Sequence, residues 1–515
     1  LLFLAFPTHD LSYLVWVGFV PLLIAISGKS LKAGFFLAYI CGIVFFAGVF
    51  SWIFDVPGFK FYHHILLSPY EGLYFGFFGL AFNFISRRRG FTAALLTAPF
   101  IWVCLEYIRS NLSFLALPWA LLAHSQYQVL PVIQIASVTG ACGVSFVVVM
   151  VNSALVAILL PLVYRPGQNE LTYRQVVSNK GRNAVAGASA VFVAVTLLYG
   201  YLKLSAPVEG KTIKISVVQG NIDREKKRNP LKHTRYIMQK YADLTRRASQ
   251  DGAAMIVWPE AATPGFIFKN MTAYKEMMAI IREVKTPLLV GSAEYPKFAK
   301  AQTKSKKSNT ALFFSSEGRV LGQYLKIRLV PFWEYVPYEE TFKWPEFIVA
   351  KKKASNVAGK EFTTFEIEGA KFGVVICWEI AFPWLFSRFA DDGANFMINI
   401  TNEGWFGENA APYQMLSMSV FRAVENRVYL VRAANTGISC FIDPHGKING
   451  RVRNNNKDIY VEGYLTQEII ALKQKTFYTA YGDIFVYLCM LVTAVVLIFS
   501  FFAARGKFSF GQDRI

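Results

Sequence analysis

Seven apolar runs in this chain are each long enough to cross a lipid bilayer, which takes about 20 predominantly apolar residues in a helix. They lie at about 11–27, 33–54, 69–86, 91–109, 142–162, 185–202 and 483–503. We interpret the apolar stretch 1–6 as the end of a further helix that starts before this sequence. The pattern predicts a multi-span α-helical membrane bundle, with eight helices in the full protein and the first one truncated here.

A long segment of ordinary globular composition lies between the sixth run and the last. The 515 residues are 54% hydrophobic, too apolar for an average soluble protein, but the excess is confined to the runs. We therefore predict an N-terminal transmembrane bundle at 1–203, a globular domain at 204–480, and a C-terminal transmembrane helix with a short basic tail at 481–515.

Basic residues fall in alternate connections between the apolar runs. They are Lys29 and Lys32, Arg87 to Arg89, the stretch 165–182, and Arg505 with Lys507. Because positive charge marks the cytoplasmic side, we expect the globular domain on the periplasmic side of a bacterial inner membrane. The net charge of +20 indicates an anionic partner, and its position in these loops favours lipid headgroups over nucleic acid.

Two charged residues lie inside the fourth apolar run. Glu106 and Arg109 are three residues apart, so they share one face of a helix. We expect a structural ion pair between them at the end of that helix.

The six cysteines give no sign of a disulfide framework or a metal site. Four of them lie in the apolar runs, and only Cys377 and Cys440 lie in the globular segment. No CxxC or Cys/His spacing typical of a zinc site occurs, and nothing indicates a cofactor. We interpret Cys440 as a packing residue of a strand.

Strand and helix signals alternate in the globular segment, which indicates a layered α/β domain. Strands are predicted at 214–219, 254–258, 288–292, 309–314, 319–324, 371–376, 396–400, 429–433 and 439–442, with a hairpin joining 309–314 to 319–324 and a helix at 231–249.

Three candidate catalytic residues each follow a predicted strand: Glu260, Lys326 and Cys377. A thiol with a pKa of about 8.5 is mostly protonated at neutral pH, and a carboxylate such as Glu260 can take its proton. The Lys326 ammonium can stabilise the thiolate and then the oxyanion of a tetrahedral intermediate, with the Trp378 N–H as a second donor. Because residues at strand ends can converge on one cleft, the pattern favours covalent catalysis by Cys377.

These three residues, in this order and context, resemble the Glu-Lys-Cys triad of the nitrilase superfamily. The resemblance implies an α-β-β-α sandwich fold. It also implies that Glu334 supports the lysine, and that the motif at 402–407 lines the cleft.

The flanking apolar runs narrow the resemblance to the apolipoprotein N-acyltransferases, the membrane-embedded branch of that superfamily. The matching motifs lie at 105–109, 117–119, 218–222, 326–337, 377–380 and 476–478. The chain differs from the family pattern at Trp333, Trp378 and Glu403, where the family has glycine, commonly tyrosine and often aspartate. At 226–228 it has Lys-Lys-Arg and no tryptophan, although the family has a functional tryptophan after Asn221.

The resemblance implies an acyltransferase of lipoprotein maturation. An acyl chain would pass from a membrane phospholipid to Cys377 as a thioester, and then to the N-terminal α-amine of a diacylglyceryl-cysteine apolipoprotein. Glu260 would shuttle the proton, Glu334 would orient Lys326, and Glu379 would shape the site. Substrate contacts are expected from Trp333, Asn402, Trp405 and Phe406. The protein is expected to act as a monomer, without cofactor or metal.

Two other functions remain open at this point. The first is a membrane-anchored amidase of the nitrilase type, in which water is the acceptor, since the same triad would serve it. The second is a transporter or scaffold whose globular domain only binds ligands, which the presence of all three triad residues disfavours.

Overall fold

The computed structural model describes residues 1–163, 178–295, 307–349 and 356–505. It contains two compact units, one formed by Leu1–Phe54, Phe59–Ser205 and Tyr481–Ile515, and the other by Asp55–Gly58 and Ala206–Ala480. Most of the basic stretch at 165–182 and the tail beyond Arg505 lie outside the described residues.

The first unit is built from apolar helices. They are α1 (Val20–Ile26), α2 (Leu31–Val49), α3 (Phe61–Arg89), α4 (Phe91–Asn111), α5 (Leu130–Ile133), α6 (Ala136–Thr139), α7 (Ala141–Val163), α8 (Asn179–Leu204) and, near the other end of the chain, α15 (Ile484–Arg505). Six helices in the described part of the chain, α2, α3, α4, α7, α8 and α15, are long and apolar enough to cross a membrane. This confirms the predicted membrane bundle.

The apolar run at 11–27 differs from the single continuous span that its length suggests. It forms a 3-10 helix at Ser12–Trp16, followed by the seven-residue helix α1. Pro21 lies in the first turn of α1, where its missing N–H costs nothing because that position has no intrahelical acceptor. Seven residues of α-helix span only about 10 Å, so α1 is too short to cross a bilayer core of about 30 Å.

A buried charged cluster in this unit corrects the predicted Glu106–Arg109 pair. The Arg109 guanidinium lies 3.2 Å from a carboxylate oxygen of Glu71, on α3. It also donates to the carbonyls of Leu117 and Trp119, both at 2.9 Å. Arg109 therefore pairs with a residue of another helix, while Glu106 lies on the same face and instead accepts a hydrogen bond from the backbone of the following connection.

The second unit contains two six-stranded sheets. The strands are β1 (Lys211–Gln219), β2 (Met255–Val257), β3 (Leu288–Glu294), β4 (Ser308–Phe314), β5 (Val320–Leu325), β6 (Thr364–Ile367), β7 (Ala370–Ile376), β8 (Phe396–Thr401), β9 (Tyr429–Ala434), β10 (Cys440–Ile442), β11 (Ile448–Arg451) and β12 (Gly463–Ala471). The first sheet has the order β12-β1-β2-β3-β4-β5 and the second has the order β11-β10-β9-β8-β7-β6. Three neighbouring strands in each sheet are parallel, namely β1 to β3 and β7 to β9.

Helices lie between and after these strands along the chain. They are α9 (Arg224–Arg228), α10 (Thr234–Ser249), α11 (Met271–Val284), α12 (Pro383–Asp391), α13 (Ala411–Asn426) and α14 (Phe477–Tyr481). α10 and α11 share one apolar core with β1 to β4, and the Phe389 ring of α12 fills the space over Gly373 in β7. Between the sheets, Phe313 of β4 and Phe372 of β7 pack with their ring centroids 5.4 Å apart. The layers form the predicted α-β-β-α sandwich.

Candidate active site

Three strand ends bring the predicted catalytic residues together. Glu260 lies just beyond β2 and Lys326 directly follows β5, both in the first sheet, whereas Cys377 directly follows β7 in the second. The Lys326 ammonium lies 4.0 Å from a Glu260 carboxylate oxygen, and the charges of both residues act on the Cys377 thiol. The site therefore forms where the ends of strands from the two facing sheets meet.

Cys377 has an unusual backbone conformation. Its φ is +56°, in the left-handed region that residues with a Cβ rarely adopt and that costs of order 1–3 kcal/mol. It also begins the 3-10 helix Cys377–Ala381, and the first N–H groups of a helix have no intrahelical acceptor. Hence the Trp378 N–H beside the sulfur is available to an oxyanion.

The Cys377 thiol requires a base before it can act as a nucleophile. Burial raises the pKa of this thiol, the Glu260 carboxylate raises it further, and the Lys326 ammonium acts in the opposite direction. The thiol is therefore protonated at neutral pH.

Glu260 is the carboxylate best placed to serve as that base. It is buried, and its two oxygens accept hydrogen bonds from the Asn309 side chain at 2.6 Å and the Asn402 backbone N–H at 2.7 Å. Burial raises the pKa of Glu260; Lys326 opposes this shift, and the Glu334 carboxylate adds to it. A raised pKa makes the carboxylate a stronger proton acceptor.

Lys326 remains an ammonium although it is only 1% exposed. Burial alone would lower its pKa, but the carboxylates of Glu334 and Glu260, together with Cys377 when it is ionised, outweigh burial and raise it. The ammonium contacts both Glu334 oxygens, at 3.0 and 2.9 Å, and Glu334 also accepts the Val330 N–H at 2.8 Å. Glu334 thus supplies both the counter-charge and the orientation of Lys326.

Glu379 connects the segment that carries Lys326 to the segment that carries Cys377. Its fully buried carboxylate accepts the Tyr324 hydroxyl with both oxygens at 3.0 Å, and the backbone N–H groups of Ile327, Arg328 and Ile376 at 2.7, 2.9 and 2.7 Å. Burial raises the pKa of Glu379 to about 7, against the effect of these hydrogen bonds. The contacts set the position of β5's end relative to that of β7.

The Trp378 side chain and the predicted substrate contacts occupy different environments. Trp378 is buried, and its indole N–H donates to the Arg328 carbonyl at 3.2 Å, so this side chain packs inside the domain. Trp333 is 44% exposed, with its ring centroid 5.6 Å from that of Trp405. The partly buried Phe406 offers its carbonyl to the Asn409 side chain. Trp333 and Trp405 form an accessible aromatic pair.

Three residues at the site were not found from the sequence. Asn309 holds Glu260, and Asn435 donates from its side chain to the Asn402 side chain at 3.1 Å. Lys227 donates to the carbonyl of Ala261, next to Glu260. The basic run 226–228 was the visible signal for Lys227, whereas a lone asparagine in a strand or just after one gave none. Across the described ranges, no three His, Cys, Asp or Glu side chains are arranged to hold a metal ion.

Known proteins resemble both units of the chain. Residues 214–469 match the family model described as carbon-nitrogen hydrolase, and residues 1–154 match the model described as apolipoprotein N-acyltransferase N-terminal domain. The apolipoprotein N-acyltransferase of Geobacter metallireducens is 35% identical over 97% of this chain and 93% of its own length. That of Chlorobaculum tepidum is 27% identical over 96% of this chain and 94% of its own length.

Two solved structures are also similar to this chain. An amidase from Nesterenkonia sp. is 19% identical with a TM-score of 0.39, covering 54% of this chain and 97% of its own. A nitrilase-superfamily protein of Saccharomyces cerevisiae is 20% identical with a TM-score of 0.39, covering 54% of this chain and 97% of its own.

Proposed function

The chain belongs to the apolipoprotein N-acyltransferase family, and on that premise we propose that it moves an acyl chain from a membrane phospholipid to the N-terminal α-amine of a diacylglyceryl-cysteine apolipoprotein. The observation that carries the proposal is the buried Glu260–Lys326 pair beside a partly exposed cysteine with a left-handed backbone. Such a site supplies a nucleophile, a base and an oxyanion donor at one place.

In the first half-reaction, Cys377 attacks the ester carbonyl of the phospholipid as its thiol proton passes to Glu260. The raised pKa of Glu260 favours this transfer. Lys326 and the Trp378 N–H stabilise the oxyanion of the tetrahedral intermediate. When the intermediate collapses, the lysophospholipid oxygen leaves and takes the proton from Glu260, and a thioester on Cys377 remains.

In the second half-reaction, the neutral α-amine of the apolipoprotein attacks the thioester carbonyl. Glu260 accepts a proton from the attacking nitrogen, and the same donors hold the oxyanion. The carbon–sulfur bond then breaks, the thiolate of Cys377 recovers the proton, and an amide forms on the lipoprotein. Both half-reactions therefore use one base in both directions.

The membrane-spanning helices fit the lipid nature of both substrates. Moving an acyl chain into water costs about 0.8 kcal/mol per CH₂ group, a cost that an enzyme held at the membrane avoids. The basic residues Lys29, Lys32 and Arg87 to Arg89 support a cytoplasmic location for their connections. By the same rule, the catalytic domain faces the periplasm of a bacterial inner membrane.

Intact-mass spectrometry of the full chain, incubated with phospholipid of one defined acyl chain, tests the first half-reaction. We expect a mass increase of one acyl group that hydroxylamine removes, and that is absent from Cys377→Ala. A matched control is Cys440→Ala, which removes the other cysteine of the catalytic domain and should retain the adduct. An adduct that persists in Cys377→Ala would contradict the proposal.

The amidase-type alternative differs only in its acceptor. Adding a diacylated lipopeptide to the acylated enzyme should yield N-acyl peptide. Release of free fatty acid, with no N-acyl peptide, would instead identify water as the acceptor and overturn the transferase function.

A further inference from the structure

The proposed reaction does not use Lys227, a basic residue that lies near the proposed base Glu260. This lysine lies on the short helix α9, and its ammonium donates to the carbonyl of Ala261, the residue after Glu260. The residue as a whole is only partly buried. The charge of Glu260 acts on the Lys227 ammonium, which puts both groups in the same part of the site.

A series of hydrogen bonds connects Glu260 to the segment just before α9 and so holds α9 in position. The backbone N–H of Asn402 donates to Glu260, and its side-chain oxygen accepts from Asn435 at 3.1 Å. The Asn435 side chain also accepts the Ile222 N–H at 3.0 Å and donates to the Ile222 carbonyl at 2.8 Å. Asp223 then caps α9 by accepting the Lys226 N–H at 2.9 Å. The same network therefore holds the base and the turn that carries Lys227.

The two neighbouring lysines of α9 differ in how their charges are balanced. Lys226 pairs with the Asp223 carboxylate and lies 5.2 Å from the centroid of the Tyr236 ring. Lys227, by contrast, has a carbonyl as its acceptor, and no carboxylate oxygen of the described residues lies within 4.0 Å of its ammonium. Burial lowers the pKa of Lys227 to about 7, with Glu260 acting in the opposite direction. A bound anion would supply the missing counter-charge and favour the ammonium form.

We propose that Lys227 binds the phosphate group of the acyl donor. This inference rests on the proposed function. Only the glycerol backbone separates the reacting ester of a phospholipid from its phosphate, so an ester at Cys377 brings a phosphate near Glu260. A lysine is a common phosphate ligand that acts as a point charge. The diacylglyceryl-cysteine acceptor contains no phosphate, so the contact serves the first half-reaction and distinguishes donor from acceptor.

The test compares two acyl donors with the full chain in detergent micelles. One is a phospholipid and the other is the p-nitrophenyl ester of the same fatty acid, which has no phosphate. For each variant, the second-order rate constant for acyl-Cys377 formation is measured with each donor. The compared quantity is the rate constant with phospholipid divided by the rate constant with the p-nitrophenyl ester. Lys227→Gln should lower this ratio about 10- to 100-fold, because that factor corresponds to the free energy of one hydrogen bond to a charged group. Lys227→Arg should restore most of it, and Lys226→Gln should change it less than about twofold because its charge is already paired.

Three outcomes would separate this inference from other roles of Lys227. An equal loss with both donors would assign Lys227 to the positioning of Glu260 and overturn phosphate binding. An unchanged ratio in Lys227→Gln would also overturn it. If the p-nitrophenyl ester acylates the wild-type chain but phospholipid never does, phospholipid is not the acyl donor and the proposed function is wrong. This result would be seen with the wild-type chain, before any variant is made.

Discussion

Each of the two units buries a cluster of two carboxylates and one cation. The two clusters differ in the groups that they leave free to react. In the helical unit, Arg109 contacts Glu71 and also donates to two backbone carbonyls of the connection after α4. In the sandwich unit, the Lys326 ammonium contacts Glu334 directly, while Glu260 lies farther away, at 4.0 Å.

The difference lies in what each cluster leaves available. In the Arg109 cluster, the guanidinium donates to backbone carbonyls, and no thiol of the described residues belongs to the cluster. Its role is therefore to hold the connection after α4 in place. The Lys326 cluster keeps a carboxylate of raised pKa next to the partly exposed Cys377. Buried charge alone therefore does not identify a catalytic site, since an ion pair can serve structure only. A cysteine with a strained backbone beside an available base marks a candidate for one.

The largest expected effect comes from removing the base in the sandwich cluster. Glu260→Gln keeps the shape of the side chain but cannot accept the thiol proton, so acyl-Cys377 formation should slow by about 10²- to 10⁴-fold. Rapid-quench measurement of adduct formation gives this rate. Glu294→Gln is a matched control, since Glu294 is also buried, also has its pKa raised by burial, and lies on β3 of the same sheet. An equal loss in the control would trace the effect to lost buried charge, not to a lost base.

Removing the cation should have the next largest effect. Lys326→Met deletes an oxyanion donor, and we expect acyl-Cys377 formation to slow by about 10²- to 10³-fold. Because the Lys326 charge lowers the pKa of Glu260, its loss should raise that pKa further. The acid limb of the pH–rate profile, below which Glu260 is protonated and inactive, should therefore move to higher pH. A limb that stays in place would show that Glu260 is not the group being titrated.

Glu379→Gln tests how the two strand ends are held together. Four groups donate to this carboxylate, and an amide would turn one acceptor into a donor facing them. We expect a cost of about 1–3 kcal/mol, seen as a lower Tm, and roughly a tenfold slower acylation as Lys326 and Cys377 shift apart. Glu366→Gln, on the exposed side of neighbouring β6, should change neither quantity. Unchanged rate and Tm in Glu379→Gln would remove its positioning role.

The smallest effect on rate is expected from the helical cluster. Arg109→Met leaves Glu71 buried and unpaired, at a cost of about 3–5 kcal/mol, so Tm in detergent should fall. The acylation rate per folded molecule should stay within about threefold, with an unchanged pH profile. Adding Glu71→Gln should recover part of the lost stability, because it removes the unpaired charge. A changed pH profile in Arg109→Met would mean that the two clusters are not functionally distinct.

The sequence predicted that Glu260, Lys326 and Cys377 each follow a strand, and in the structure they lie just beyond β2, β5 and β7. The sequence was less informative about features that depend on tertiary contacts, such as the partner of an ion pair or the limits of a helix. The i,i+3 spacing favoured Glu106 as the partner of Arg109, but a carboxylate from α3 is closer. Pro21 divides an apolar run whose composition alone predicts one helix. The strand β12 was missed because Thr466, Gln467 and Glu468 interrupt its apolar pattern, although all nine of its residues pair with β1.

The Glu379 network could not be predicted for a similar reason. Three of its four donors, Tyr324, Ile327 and Arg328, lie more than 50 positions away along the chain. Their convergence depends on how β5 and β7 face each other across the sandwich. The role of Asn435 likewise depends on the packing of β9 against the turn after β1.

The most direct test of the central claim is a single-turnover chase of the isolated acyl-enzyme. Full-length protein carrying a labelled acyl group on Cys377, freed of phospholipid, is mixed with a diacylated lipopeptide, and both species are followed by mass spectrometry. We predict that label leaves Cys377 at the rate at which it appears on the peptide α-amine, one for one. Label that stays on Cys377, or that appears only as free fatty acid, would contradict acyl transfer through this thioester.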